Sequence, residues 1–287
     1  MYSIPKSRLT RVANVDPDSA SPFDLAINYN LSPSTHVPVL ITTQSTGERT
    51  LISMKWGLEP RFATRHPLST INARVEHVGE SKLYSPLIVS KRCVIIVDAF
   101  YEWSHKNKER APYLIRYDDR TPETSIPLDK AMTQSTSYTQ AEEVSDIADA
   151  ATDPCVLPKG VSPLFLAGLY DVSPTSGEYS CSIMTTDSFG PTASIHDRMP
   201  LLLSPETARL WLECKNQPFN EIIGYVQKTN RGLAEKLICI KVSSLVNNVS
   251  HKSIDVTVPA DEMKKRSFER GLGRFFSQEL HKKPKLQ

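Results

Sequence analysis

The sequence predicts an α+β fold, with a strongly bent β-sheet or barrel core and a few flanking helices. Three observations carry this. Short strand-like runs separated by turn residues recur along most of the chain. One run, Arg92 to Val97, holds five apolar residues in succession and reads as a strand buried on both faces. Only two or three stretches carry helix start signals, the clearest being Ser204-Pro205-Glu206. At 287 residues the chain can bury a large core.

Residues 3–14, with Ser7, Leu9, Val12 and Ala13, read as a short helix. Ala26 to Pro33 is a polar loop before a strand over Val37–Thr43. Thr46-Gly47-Glu48 turns that strand into its hairpin partner, Leu51–Trp56. A Pro-containing loop then leads to Ile71–Glu76. The strand opening at Arg92 is expected to run straight into Tyr101-Glu102-Trp103, with Pro112–Tyr117 as its hairpin partner. Residues 118–160 change character: nine acidic side chains stand against Arg120 and Lys130 between 118 and 153, and Tyr138 is the only aromatic there. Such a stretch buries too little apolar surface to offset its ordering entropy, so it reads as a disordered acidic insertion in one domain spanning 1–259. Strands resume over Leu164–Val172 and Tyr179–Thr186. The latter delivers a loop, Ser194 to Pro200, holding His196, Asp197 and Arg198 in succession. Ser204 caps one helix whose buried side is Ala208, Leu210, Trp211 and Leu212, and Asn220 caps a second through Val226. Leu237–Val242 is the last strand, and Val246-Asn247-Asn248 leaves it as a polar loop. Residues 260–287 form a basic, flexible tail, eight cations against four anions.

Charge is nearly balanced, at +2 overall. With the acidic insertion set aside the body is mildly basic, which suits a polyanion partner. Cys93, Cys155, Cys181, Cys214 and Cys239 match neither a zinc pattern nor a disulfide framework, which points to a reducing compartment and no metal. No apolar run approaches the ~20 residues of a membrane span.

Seven pieces in order then resemble one family: Tyr29 to Pro33, Met54 to Leu58, Asn72-Ala73-Arg74-Val75-Glu76, Arg92-Cys93-Val94 through Asp98 to Trp103, Leu166 to Asp171, Ile195 to Pro200, and Val242-Ser243-Ser244 with Val246-Asn247-Asn248. Together they resemble the SOS-response-associated peptidase (SRAP) family, whose eukaryotic members are abasic-site-processing proteins. The resemblance implies a single SRAP-type domain with a groove for single-stranded DNA, no cofactor, and a monomer. It implies that Asn72, Glu102 and His196 line the reaction centre. It implies that Arg74 and Arg198 grip phosphates, with Trp56 and the Asn30 loop beside the DNA. The residues alone also allow plainer roles: Trp56 and Trp103 as core aromatics, Glu102 paired with an arginine, Asn72 capping a turn.

In the family the nucleophile is a cysteine directly after the initiator Met. Its amine attacks the aldehyde of an opened abasic site, and its thiol closes a thiazolidine; the peptidase activity removes Met1. This chain reads Met1-Tyr2-Ser3-Ile4, so it lacks that cysteine. Two explanations compete: a start downstream of the Cys-bearing strand, which the reading favours, or a protein that binds abasic DNA without trapping it, with at most lyase-type cleavage through its terminal amine. A cysteine hydrolase using Cys93 or Cys181 with His196 is disfavoured, since a cysteine in an apolar strand is usually inert. The tail segment Glu269 to Phe276 resembles a degenerate sliding-clamp-binding box, with Leu272, Phe275 and Phe276 as anchors. Lys264-Lys265-Arg266 and Lys282-Lys283-Pro284-Lys285 fit nuclear import or non-specific phosphate contact.

Overall fold

In the computed structural model the described residues are 6–15, 27–43, 45–59, 68–104, 110–118, 120, 125–126, 162–266 and 268. The acidic insertion, save for a few residues at its start, and the clamp-box anchors therefore lie outside them.

Strand β1 (His36–Thr42) and β2 (Arg49–Trp56) form the expected hairpin in antiparallel register, Thr42 opposite Arg49. The turn closes through Thr43 N–H to Glu48 O, and Gly47 takes a positive φ of 76° that favours glycine. β4 (Arg92–Val97) pairs β1 on one side and β7 (Leu164–Val172) on the other. β7 pairs β8 (Tyr179–Asp187), and β8 pairs β2 in parallel through Lys55–Trp56. The circuit β1–β2–β8–β7–β4 returns to β1, so five strands close into a barrel and hide most of their edges. This is the bent core that the sequence predicts.

Alternation along the strands explains both faces. Val37, Val39, Cys93, Ile95, Leu164 and Leu166 pack on one side. Leu40, Val94, Ile96, Phe165, Ala167 and Leu169 pack on the other. There they meet α1 (Lys6–Ala13), α3 (Pro205–Leu212) and α4 (Phe219–Ala234). A short helix, α2 (Leu87–Ser90), precedes β4. Ser204 caps α3 as expected: its Oγ accepts from Thr207 N–H while Thr207 Oγ1 accepts from Ser204 N–H.

Three expectations need correction, and one unassigned stretch proves to be a strand. The run Arg92–Trp103 is not one strand: β4 stops at Val97, and β5 (Phe100–Trp103) belongs to a second sheet, β5–β6–β11, with β6 (Pro112–Tyr117) and β11 (Leu237–Lys241). The break is at Asp98, whose buried carboxylate accepts from Arg8 of α1 at 2.8 Å. Ile71–Glu76 contains a short strand, β3 (Asn72–Arg74), which pairs in parallel with β8. The loop Ser194–Pro200 ends in another, β9 (Arg198–Pro200), also on β8, while β10 (Leu202–Leu203) joins β7. Finally, α4 begins at Phe219 after Pro218 and runs to Ala234, because Ile222, Val226, Asn230 and Ala234 continue one buried stripe. Asn230 stays in that stripe by accepting from Leu202 N–H at 2.8 Å. Residues 260–266, the first of the tail, are helical.

Candidate nucleic-acid and reaction site

β8 gathers the candidate residues. Along one edge it pairs first β2 and then β3; along the other it pairs β7 and then β9. Thr185 sits opposite Arg74 on one side and Pro200 on the other. Asn72 and Arg74 are exposed at either end of β3, with Ala73 buried between them, the strand period at work. Tyr84 O–H donates to Asn72 O at 3.2 Å, and burial raises that phenol's pKa. The indole N–H of Trp56 donates to Ile71 O at 3.0 Å, so the half-buried ring is fixed beside the residue preceding Asn72. Among the described residues, Arg74 has no ion pair or side-chain hydrogen bond.

Across β8, Arg198 is heavily engaged. Its guanidinium meets both Glu76 carboxylate oxygens at 3.0 Å, Asp187 Oδ1 at 2.7 Å and Thr185 O at 2.9 Å. Burial works against the Glu76 charge, but Arg198 more than offsets it and holds that carboxyl below its ordinary range. Arg198 Nε is buried without a partner. Glu76 and Asp187 were not singled out by the sequence reading, although Glu76 closes the Asn72–Glu76 piece that was.

His196 follows a 3₁₀ turn, Gly190–Ser194, and the buried Ile195. His196 Nδ1 lies 3.0 Å from Arg198 N and 3.2 Å from Arg198 O, so the backbone of Arg198 holds the ring in place. Asp197 Oδ1 is 3.1 Å from the same nitrogen. Glu102, half-buried on β5, has its pKa raised by burial, and the nearby His196 charge and the Trp103 N–H oppose that rise. Carboxyl and imidazole therefore feel each other although they come from different sheets.

Asn30 has a different place. Its buried Nδ2 lies 3.0–3.2 Å from the carbonyls of Val246, Asn248 and His251. The side chain faces the protein and ties its loop to the segment after β11. Two further bonds join that wall to β5: Trp103 Nε1–H to Asn247 Oδ1 at 2.7 Å, and Tyr101 O–H to Tyr29 O at 2.8 Å. Asn247 is a residue whose role the sequence reading missed; its signal was the Val246-Asn247-Asn248 piece.

Three of the thiols are held protonated by burial. Burial pushes Cys93 well up, Cys181 up to about 12 and Cys239 up to about 11. No group of His, Cys, Asp and Glu among the described residues could hold a metal ion. No helix among them is long and apolar enough to cross a membrane. A cavity of about 760 Å³ opens between the β1–β2 turn, α2 and the α3–α4 junction, and none of the candidate residues lines it.

A sequence model of the SOS response associated peptidase (SRAP) family matches residues 2–249. The chain belongs to the SRAP family. Among curated relatives, the abasic site processing protein HMCES of Xenopus tropicalis is 32% identical over 238 residues, 77% of this chain and 62% of that protein. This chain thus matches less than two thirds of that relative's length. The abasic site processing protein YoqW of Bacillus subtilis is 29% identical over 231 residues, 79% of this chain and 83% of its own. Among solved structures, a phage-related protein from Bordetella bronchiseptica superposes with a TM-score of 0.54 at 17% identity, covering 85% of this chain and 92% of that one. A Bacteroides thetaiotaomicron protein gives 0.51 at 18%, covering 78% and 81%. These likenesses establish the SRAP fold of the barrel.

Proposed function

We propose that this chain recognises single-stranded DNA carrying an abasic site and processes the lesion. The observation that carries the reading is the half-buried Glu102 carboxyl, raised by burial and set near the imidazole of His196. A carboxyl raised by burial and set beside an imidazole is what proton transfer at an aldehyde needs. The SRAP relatives named for abasic-site processing support the same substrate.

In this reading Arg74, unpaired and exposed, takes a backbone phosphate, and the held guanidinium of Arg198 adds fixed positive charge beside it. Trp56 offers a ring edge or face to a base. Asn30 shapes the wall of the groove. His196 protonates the departing ring oxygen as the sugar opens. A terminal amine, held by Asn72, adds to the C1′ aldehyde and releases water, giving an imine. Glu102 removes a C2′ proton, the electron pair expels the 3′ phosphate, and hydrolysis returns the amine. Residues 1–5 lie outside the described residues, and the sequence as given places Tyr2 where the family has its cysteine. A thiazolidine needs thiol and amine on one residue; a terminal residue without a thiol leaves the imine open to hydrolysis. Self-removal of Met1, a DNA lyase role and action in the nucleus, as a monomer recruited by a sliding clamp through Leu272, Phe275 and Phe276, complete the proposal.

Incubation with an oligonucleotide holding one abasic site tests it. Expected are binding, slow strand cleavage that borohydride converts to a trapped adduct, and no heat-stable adduct without borohydride. Glu102→Gln and His196→Ala lower cleavage by ~10²-fold or more. A heat-stable adduct without reductant overturns the open-imine step. Binding without cleavage favours the second reading, a non-covalent single-strand binder.

A further inference from the structure

Arg198 is not the end of the positive surface. A second cavity, about 420 Å³, opens on the far side of its two carboxylate partners and is lined by Glu76, Asp187, Phe189, Gln227, Lys228 and Arg231, among others. Lys228 and Arg231 are three residues apart, hence on one face of α4. Both are exposed, and neither has a carboxylate partner among the described residues. Arg231 sits over the ring of Phe189, 4.7 Å from its centroid. That ring is half-buried against the barrel's apolar cluster, so the guanidinium covers the face it leaves open.

We propose that this cavity is a subsite for a nucleotide flanking the lesion, with Lys228 and Arg231 holding its phosphate and Arg231, braced by Phe189, offering a flat cation to its base. The proposal rests on the single-strand reading above and extends the bound strand past Arg198 toward α4. Three features favour a nucleotide. The cavity is of the size that ligand sites take. Counted with Arg198, its cations exceed the carboxylates Glu76 and Asp187 by one, which matches the single charge of a phosphodiester. A guanidinium fixed over an aromatic ring is a surface on which bases of any identity stack. Phe189 also opens the 3₁₀ turn that leads to His196, accepting from Thr192 Oγ1 at 2.7 Å, so the subsite and the imidazole share one short segment.

Binding of the full chain to a fluorescent single-stranded oligonucleotide, with one central abasic site, tests this across a salt series. The Lys228→Ala, Arg231→Ala double variant should bind about tenfold more weakly near 0.1 M salt. Its plot of log affinity against log salt should be shallower by ~0.7, the change for one single-strand phosphate contact. Shortening the oligonucleotide from one end should erase the difference between variant and parent, and shortening from the other should not. Both substituted side chains are exposed, so an unchanged melting temperature confirms a folded variant. Equal affinity and slope for variant and parent overturn the subsite and leave the main reading intact. So does loss of binding to an acidic peptide alone, which would make the surface a protein contact. If the unaltered chain fails to bind the oligonucleotide at all, the single-strand reading fails, and the subsite with it.

Discussion

Glu102 shows how one side chain can be read two ways from sequence and one way from coordinates. Beside Trp103 it could have been an ordinary ion-pair partner; in the structure burial lifts its pKa, with His196 close enough to temper the rise. A carboxyl raised in the folded state binds its proton more tightly there than in the unfolded chain. Its contribution to stability is therefore fully present below the ordinary carboxylate pKa, and is lost as pH rises through the folded value. Glu102→Gln removes that loss. The variant should gain melting temperature relative to the parent as pH rises above about 4.5, and a constant gap across that range would contradict the raised carboxyl. Asn30 teaches the opposite lesson. Its residue type and its place in a polar loop suited a groove, and the sequence reading set it beside DNA. The carbonyls its amide meets belong to residues more than two hundred positions away, and nothing local announces them.

At the scale of elements, four of the five barrel strands were legible because they have two buried faces and bounding turns, a pattern that survives in the sequence. The sheet change inside Arg92–Trp103 was not, since Asp98-Ala99 interrupts the apolar run too briefly to signal a corner. The length of α4 was hidden for a related reason: Gln227 to Gly232 reads as polar, while its buried stripe continues through Asn230. The same outward polarity concealed Lys228 and Arg231, which pattern alone assigns to a solvated face. Gly168 of β7 marks how tightly the circuit is closed. A Cβ there would stand 2.2 Å from Ile95 Cδ1, 2.9 Å from Cys93 Sγ and 3.2 Å from Ser182 O. Gly168→Ala should cost ~2–3 kcal/mol through overpacking, read as a lower urea midpoint with unchanged slope. A neutral result would mean that β4 and β7 can part without penalty.

The whole molecule joins a closed barrel, a small three-stranded sheet and a tail. The many short strand-like runs made the first legible as a bent sheet, and the proposed clamp contact belongs to the last. Replacing Phe275 and Phe276 with alanine should abolish capture by a sliding clamp while leaving affinity for the abasic oligonucleotide within about twofold, roughly 0.4 kcal/mol. Clamp capture that survives would remove that partner. The corner at Asp98 has a wider effect. It hands Glu102 to one sheet while Asn72, Arg74 and Arg198 stay on the other, pinned along a single strand. The gap between Glu102 and His196 is then the seam between two rigid plates, riveted by Asn30 and Arg8. Loosening any rivet lets the plates slide, so this protein should fall silent well before it melts.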